Sequence, residues 1–189
     1  GLRKVRTLRR YYFARDGRYD SAFSAVDEGC MIEVLRDGQF AYAATGSMEP
    51  LALRAAAEKA LALAAAAAPH AVHRFGPEVR PPTVLTYESA RARPADWDAG
   101  VLEGQAVALT DAMKVSDRIV QRLAGFELRD IDTEIVSTSG ARIAQKVRIL
   151  SHGMMAVAQD GAITQRRTAN GYLARTNQGG AELVDMEGG

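Results

Sequence analysis

Apolar and polar positions change period several times along the chain, and each change marks an element. Met31 to Arg36 and Gln39 to Ala44 are short runs rich in β-branched and aromatic residues, separated only by Asp37-Gly38. An Asp-Gly pair between two such runs predicts a two-residue hairpin, because a type I′ turn needs positive φ at both central positions. The period then becomes helical. Leu53, Ala57, Ala60, Leu61, Ala64 and Ala68 recur at steps of three and four, while Arg54, Glu58 and Lys59 point elsewhere. This predicts an amphipathic helix over 47–68, capped by Ser47, with Pro50 in its first turn and Pro69 as its stop. Its alanine-rich stripe suits close packing on a sheet.

The same signals recur on either side. Residues 5–13 are β-prone and run through Asp16-Gly17 into Arg18 to Ala25, a first hairpin with Tyr19, Ser21 and Phe23 on one side. Both hairpins are expected in one antiparallel sheet, with the helix packed across a face. Four prolines and Gly76 make 69–82 a loop, followed by a short strand over 84–87. Residues 94–98 offer caps for a second helix, whose stripe is Leu102, Ala106, Leu109 and Met113. It is expected to end near 114–117; pattern alone leaves open whether Ile119, Val120 and Leu123 extend it or begin a strand. From Asp130 the period is two: Ile131, Thr133 and Ile135 alternate with Asp130, Asp132 and Glu134. Ser139-Gly140 turns into a return strand through Ile143, Gln145, Val147 and Ile149. A further hairpin runs 152–159, Asp160-Gly161, 162–167. The Gly- and Asn-rich residues 170–189 read as a linker or truncated edge. The fold class is α+β: mostly antiparallel sheet built from Asp-Gly hairpins, with two main helices packed on it.

Composition narrows the function classes. The 189 residues carry a net charge of +1, which gives no nucleic-acid footprint. The basic start (Arg3, Lys4, Arg6, Arg9, Arg10) reads as the solvated side of a strand. Cys30 is the only cysteine, so an intramolecular disulfide and a cysteine-rich zinc site are excluded, and a reducing, cytoplasmic setting is expected. No apolar run is long enough to span a bilayer, and no partner membrane is expected.

Candidate chemistry is sparse. His70 and His73 form the only paired-histidine motif, but Ala71 and Val72 fill the gap where a zinc peptidase needs a glutamate. The pair reads as a loop feature. His152 opens a strand without a local partner, and Cys30 sits in a strand expected to be buried, behaving as a small hydrophobe. Gly179-Gly180 and Gly188-Gly189 lack the strand-to-helix setting of a phosphate cradle. Asp130, Asp132 and Glu134 would repel one another on one strand face unless solvated, so that face is expected to be exposed. No residue is assigned a catalytic, cofactor-binding or metal-binding role.

Two blocks carry a resemblance. EGCMIEVLRDGQFAYAATGSMEPLALRAAAEKALALA, preceded by RYYFARDGRYDSAFSAVDEG, resembles the N-terminal domain of the TldD/PmbA family in its order of glycine, strand, DG-type turn, aromatic-Ala strand end and Ala-rich helix. DRIVQRLAGFELRDIDTEIVSTSGARIAQKVRI and AVAQDGAITQRR are similar to the later part of that domain, with a TldD-like rather than PmbA-like end. The resemblance implies a cytoplasmic zinc metallopeptidase acting on peptides, with paired or self-paired subunits; an older family label is modulator of DNA gyrase. It further implies that the metal motif, His-Glu-x-x-x-His, lies in a second half absent from these 189 residues. Residues 1–178 are then the non-catalytic N-terminal domain, with a loop-rich segment at 69–98, and 179–189 a tail or truncated linker to the catalytic domain. Its expected contributions are subunit contacts and substrate-channel surface. The alternative is a stand-alone peptide-binding or inactive partner subunit without catalytic activity.

Overall fold

The computed structural model describes residues 1–89, 99–169, 171 and 175–179. The fold is α+β: mostly antiparallel sheet with two helices. The strands are β1 (Leu2–Arg15), β2 (Arg18–Arg36), β3 (Gln39–Thr45), β4 (Val84–Glu88), β5 (Ile119–Val136), β6 (Arg142–Asp160), β7 (Ile163–Ala169) and β8 (Arg175–Gln178). The helices are α1 (Pro50–Ala67) and α2 (Ala99–Ala112). Strand order is β3-β2-β1-β5-β6-β4, with β7 and β8 also pairing with β6. β4 pairs parallel to β6, aligning Val84 with Arg142 and Glu88 with Lys146.

Local chemistry fixes the turns. Asp16 and Gly17 lie at φ 51° and 80°, and Asp37 and Gly38 at 52° and 79°. Both pairs therefore adopt the type I′ conformation that the Asp-Gly sequence favours. The third turn differs from expectation. Asp160 pairs with Ile163, so the two loop residues are Gly161 and Ala162, with only Gly161 at positive φ. That is the II′ pattern, which needs glycine at its first position alone.

Strand continuity also departs from the sequence reading. β2 runs unbroken through Val26 to Gly29, where a break between two hairpins was expected, and β6 runs unbroken through Leu150 to His152. Ile119, Val120 and Leu123 begin β5 rather than extending α2. A four-residue strand, β8, forms within 170–189, the stretch read as a linker or truncated edge, and pairs with β6. The cap candidates at 94–98 lie outside the described residues.

The chain divides into two compact units. Unit 1 holds 1–7, 27–88 and 131–146; unit 2 holds 8–26, 89–130 and 147–189. In unit 1, α1 packs on the sheet through Ala56 and Ala60, against Cys30, Ile32 and Ala43, and Ala64 is buried on the same stripe. The stripe is thus rotated from the expected one: Ala60 and Ala64 are shared, while Leu61 is exposed and Leu53 and Ala57 lie at the margin. Small side chains at the closest approach let the helix settle near the strands, and bulkier residues are pushed to its flanks. Ser47 does not cap α1. Its hydroxyl accepts from the Glu49 amide, and Glu49 occupies the cap position without a side-chain bond.

In unit 2, α2 buries Leu102 and Ala106 against Tyr12, Phe126, Leu128 and Leu150. Thr110 takes the next buried place on the stripe, where a hydrophobic residue was expected. Its hydroxyl accepts from the Gly17 amide at 2.9 Å and donates to the Val107 carbonyl at 2.8 Å. A buried hydroxyl is tolerated because both of its hydrogen-bonding capacities are used.

Candidate functional site

The face of unit 1 turned away from α1 carries an open concave surface. Alternation along the strands assigns it: Ala41 and Ala43 are buried, as are Cys30 and Ile32, so Phe40, Tyr42, Met31 and Glu33 face the other way. An open trough of about 600 Å3 lies along β1 and β2, with Val5 and Met31 as its apolar lining and Gly29, Ala44 and Gly46 as a low floor. Arg3 and Asp27 place opposite charges on its lining.

Beside it stands an aromatic ladder. Phe40 stacks with Tyr42 at 6.5 Å between ring centres, and Phe75 tilts onto Phe40 at 5.4 Å. Arg80 lies over the Phe40 ring at 4.7 Å and forks onto Glu33 with two bonds of 2.8 Å. The guanidinium is held in a cation–π and bidentate geometry at once. Arg80 holds the Glu33 carboxyl below the usual carboxylate range, aided by Tyr42; burial followed by Glu33 pushes the Tyr42 hydroxyl up. The loop carrying Phe75 and Arg80 is tied down at the turn: the Phe75 amide donates to Gly38 O at 2.9 Å and Arg74 donates to Asp37 O at 2.7 Å.

This face carries aromatic, apolar and charged side chains side by side. Cys30 is buried at 3% exposure under α1, and burial pushes its thiol pKa up, away from a nucleophilic thiolate. His70 ends a 3-10 turn at Ala68–His70, and the exposed His73 sets its ring edge-on to Phe75 at 4.7 Å. Among the described residues no group of three His, Cys, Asp or Glu side chains could hold a metal. His152 lies within β6 rather than opening a strand, buried with its ring near Phe126. Gly179 is described and donates to Arg148 O, while Gly180, Gly188 and Gly189 lie outside the described residues.

The ladder was not foreseen from sequence, although Phe40 and Tyr42 at alternate positions were a visible signal. Their partners Phe75 and Arg80 come from a loop without periodicity, and the Arg80–Glu33 pair spans 47 residues. The acidic row is corrected at Asp130 alone, since Glu134 is exposed as expected. Asp130 is not a solvated carboxylate but is ion-paired with Arg10 and Arg148. The basic start is likewise partly paired, Lys4 with Glu28 at 2.8 Å and Arg10 with Asp130 at 2.6 Å. No helix among the described residues is long and apolar enough to cross a membrane.

Comparison with known proteins places this geometry. Residues 2–64 match the family model described as PmbA/TldA metallopeptidase domain 1. No curated protein matches the chain. Among solved structures, a protein described as a candidate modulator of a DNA gyrase from Thermotoga maritima is 18% identical, with a TM-score of 0.59 over 88% of this chain and 37% of its own. A second candidate modulator of DNA gyrase, from Bacteroides thetaiotaomicron, is 13% identical, with a TM-score of 0.65 over 89% and 38%. TldE from Thermococcus kodakarensis is 14% identical, with a TM-score of 0.57 over 94% and 39%. At these identities the likeness is one of fold, and the chain spans less than two fifths of the length of these proteins. Residues 2–64 thus match the first domain of that metallopeptidase family, and the chain as a whole shares the fold of these solved structures.

Proposed function

We propose that this chain is the non-catalytic first domain of a TldD-like zinc metallopeptidase acting on peptides, and that it supplies channel surface and subunit contacts. The carrying observation is the match of residues 2–64 to domain 1, in a chain that spans under two fifths of its solved relatives. Residues 1–178 act as the domain and 179–189 as the link to the part that binds zinc through His-Glu-x-x-x-His. The open face of unit 1 is the channel wall: its trough takes an extended, mainly apolar segment, and the ladder from Tyr42 to Arg80 flanks it. Such a surface binds peptide with little sequence demand, in keeping with a role upstream of the chemistry. A partner subunit of the same family, or a second copy, closes the channel in the cytoplasm.

The test begins with the intact mass of the protein from its native source. A mass far above 20.3 kDa is expected, with the catalytic half on the same polypeptide. The isolated 189 residues should retain no stoichiometric zinc after dialysis and cleave no peptide. Zinc retained by the chain and lost in a His70→Ala/His73→Ala variant would overturn the reading.

A further inference from the structure

Unit 2 contains a charge imbalance that the side chains of its described residues do not resolve. Along one sheet face, Tyr12, Leu128 and Leu150 form the apolar row under α2. Two residues further along each strand on the same face come Arg10, Asp130 and Arg148. Arg10 Nη2 donates to Asp130 Oδ2 at 2.6 Å, and Arg148 Nε donates to Asp130 Oδ1. One carboxylate thus serves two guanidinium groups, and no other carboxylate among the described residues lies within ion-pair distance of either.

The row is also short of acceptors. Arg10 Nε and Arg148 Nη1 are both shielded from solvent and lack a hydrogen-bond partner. Arg148 is only 7% exposed, so its positive charge is one that a folded chain normally pairs. Arg10 and Asp130 keep about a quarter of their side-chain surface, 26% and 23%, which leaves the row reachable over them with Arg148 as its floor. A water could satisfy a lone N–H but would leave the net charge of +1 in place. A single monoanion satisfies both.

We propose that the Arg10–Asp130–Arg148 row is a seat for a carboxylate. The planar guanidinium presents paired donors that match the two oxygens of a carboxylate better than a spherical ion. A carboxylate entering over Arg10 completes an alternating row of two cations and two anions. It reaches the shielded donors on Arg10 and Arg148 when the part-exposed Arg10 side chain swings aside, while Asp130 keeps Arg148 oriented. The ligand chemistry is shared by a small free carboxylate and by the C-terminal carboxylate of a peptide. This inference rests on unit 2 alone and is independent of the peptidase reading.

The test follows the arginine Nε–H signals of the full 189-residue chain by 1H–15N NMR at constant ionic strength. The probes are acetate, N-acetyl-tetra-alanine with a free C-terminus, and its C-terminal amide. The expected result is a saturable shift of the Arg10 and Arg148 signals with acetate and with the free acid, and none with the amide. Arg10→Gln, at the more exposed end of the row, should weaken this binding at least about tenfold, the scale of one lost charge-assisted bond. Arg148→Lys supplies a second variant that keeps the charge but loses the fork. Equal binding of acetate and peptide assigns the seat to a small free carboxylate; tighter peptide binding assigns it to a chain terminus. An equal response to chloride, an equal response to the amide, or no shift up to about 50 mM, well above a millimolar dissociation constant, overturns the proposal.

Discussion

In unit 1 the helix meets the sheet through Ala56 and Ala60; in unit 2 the corresponding contact is made by Leu102 and Ala106 against Phe126, Leu128 and Leu150. Both units set one helix on antiparallel strands and clamp an Asp-Gly turn. Unit 2 holds Asp16-Gly17 with the buried hydroxyl of Thr110, on the helix itself. Unit 1 holds Asp37-Gly38 with the loop after the helix, through Phe75 and Arg74. The lesson is that one architecture tolerates two packing regimes. Large side chains in unit 2 contribute by the area they bury, while small ones in unit 1 contribute by how closely backbone approaches backbone. The regimes fail in opposite ways.

Truncation should hurt unit 2 most. Leu128→Ala, at a fully buried position, is expected to cost about 2–5 kcal/mol, since lost transfer energy and a residual cavity add. Denaturant titration gives the value, and amide exchange shows whether the loss stays within unit 2. Enlargement should hurt unit 1: Ala60→Leu, at 0% exposure, is expected to cost about 1–3 kcal/mol by overpacking. Faster labelling of the Cys30 thiol beneath α1 would report that opening directly. If Ala60→Leu is neutral while α1 stays docked, close approach is not what holds unit 1.

The turns sharpen the same contrast at lower energy. Gly38→Ala meets both a positive φ of 79° and the Arg74 side chain at 2.7 Å. Its expected cost is about 1 kcal/mol or somewhat more. Gly161→Ala, at φ 57° with open space around it, should cost less. Thermal midpoints of the two variants rank them, and a larger loss at Gly161 would refute the clamp as the reason for the difference.

The smallest effect is electrostatic. Glu33 has a folded pKa below its unfolded value because Arg80 donates to it. Its contribution is therefore present above the unfolded carboxylate range, near pH 4.3, and is lost as pH falls through the folded pKa. Replacing Arg80 by Gln should flatten the acid limb in that window by lowering stability above it, only slightly because Arg80 is half exposed, and leave stability below the folded pKa unchanged. An unchanged acid limb would remove Arg80 as the cause.

What the sequence disclosed follows from how local each determinant is. The first two Asp-Gly turns were readable because positive φ is a property of the two residues themselves. α1 and α2 were readable because a stripe needs only a single helix. The unbroken course of β2 through Val26-Asp27-Glu28-Gly29 was not, since polar residues and a glycine there look like a turn until neighbouring strands supply hydrogen bonds. The pairing of Asp130 was hidden because Arg10 lies 120 residues away. The ladder was hidden for the same reason, and with it most of the candidate surface.

The strand order has a consequence for how the molecule comes into being. β1 lies between β2 and β5, and roughly 100 residues separate Arg15 from Ile119. During synthesis at roughly 5–20 residues per second, β1 emerges several seconds before the strand that covers its second edge. Over that interval its row of amides and carbonyls is open to other chains. The positive charges at Arg3, Lys4, Arg6, Arg9 and Arg10 then act as a temporary guard, because like charges deter nascent strands from pairing with one another. The basic start of the chain protects the protein before it is folded, whatever those residues contact afterwards.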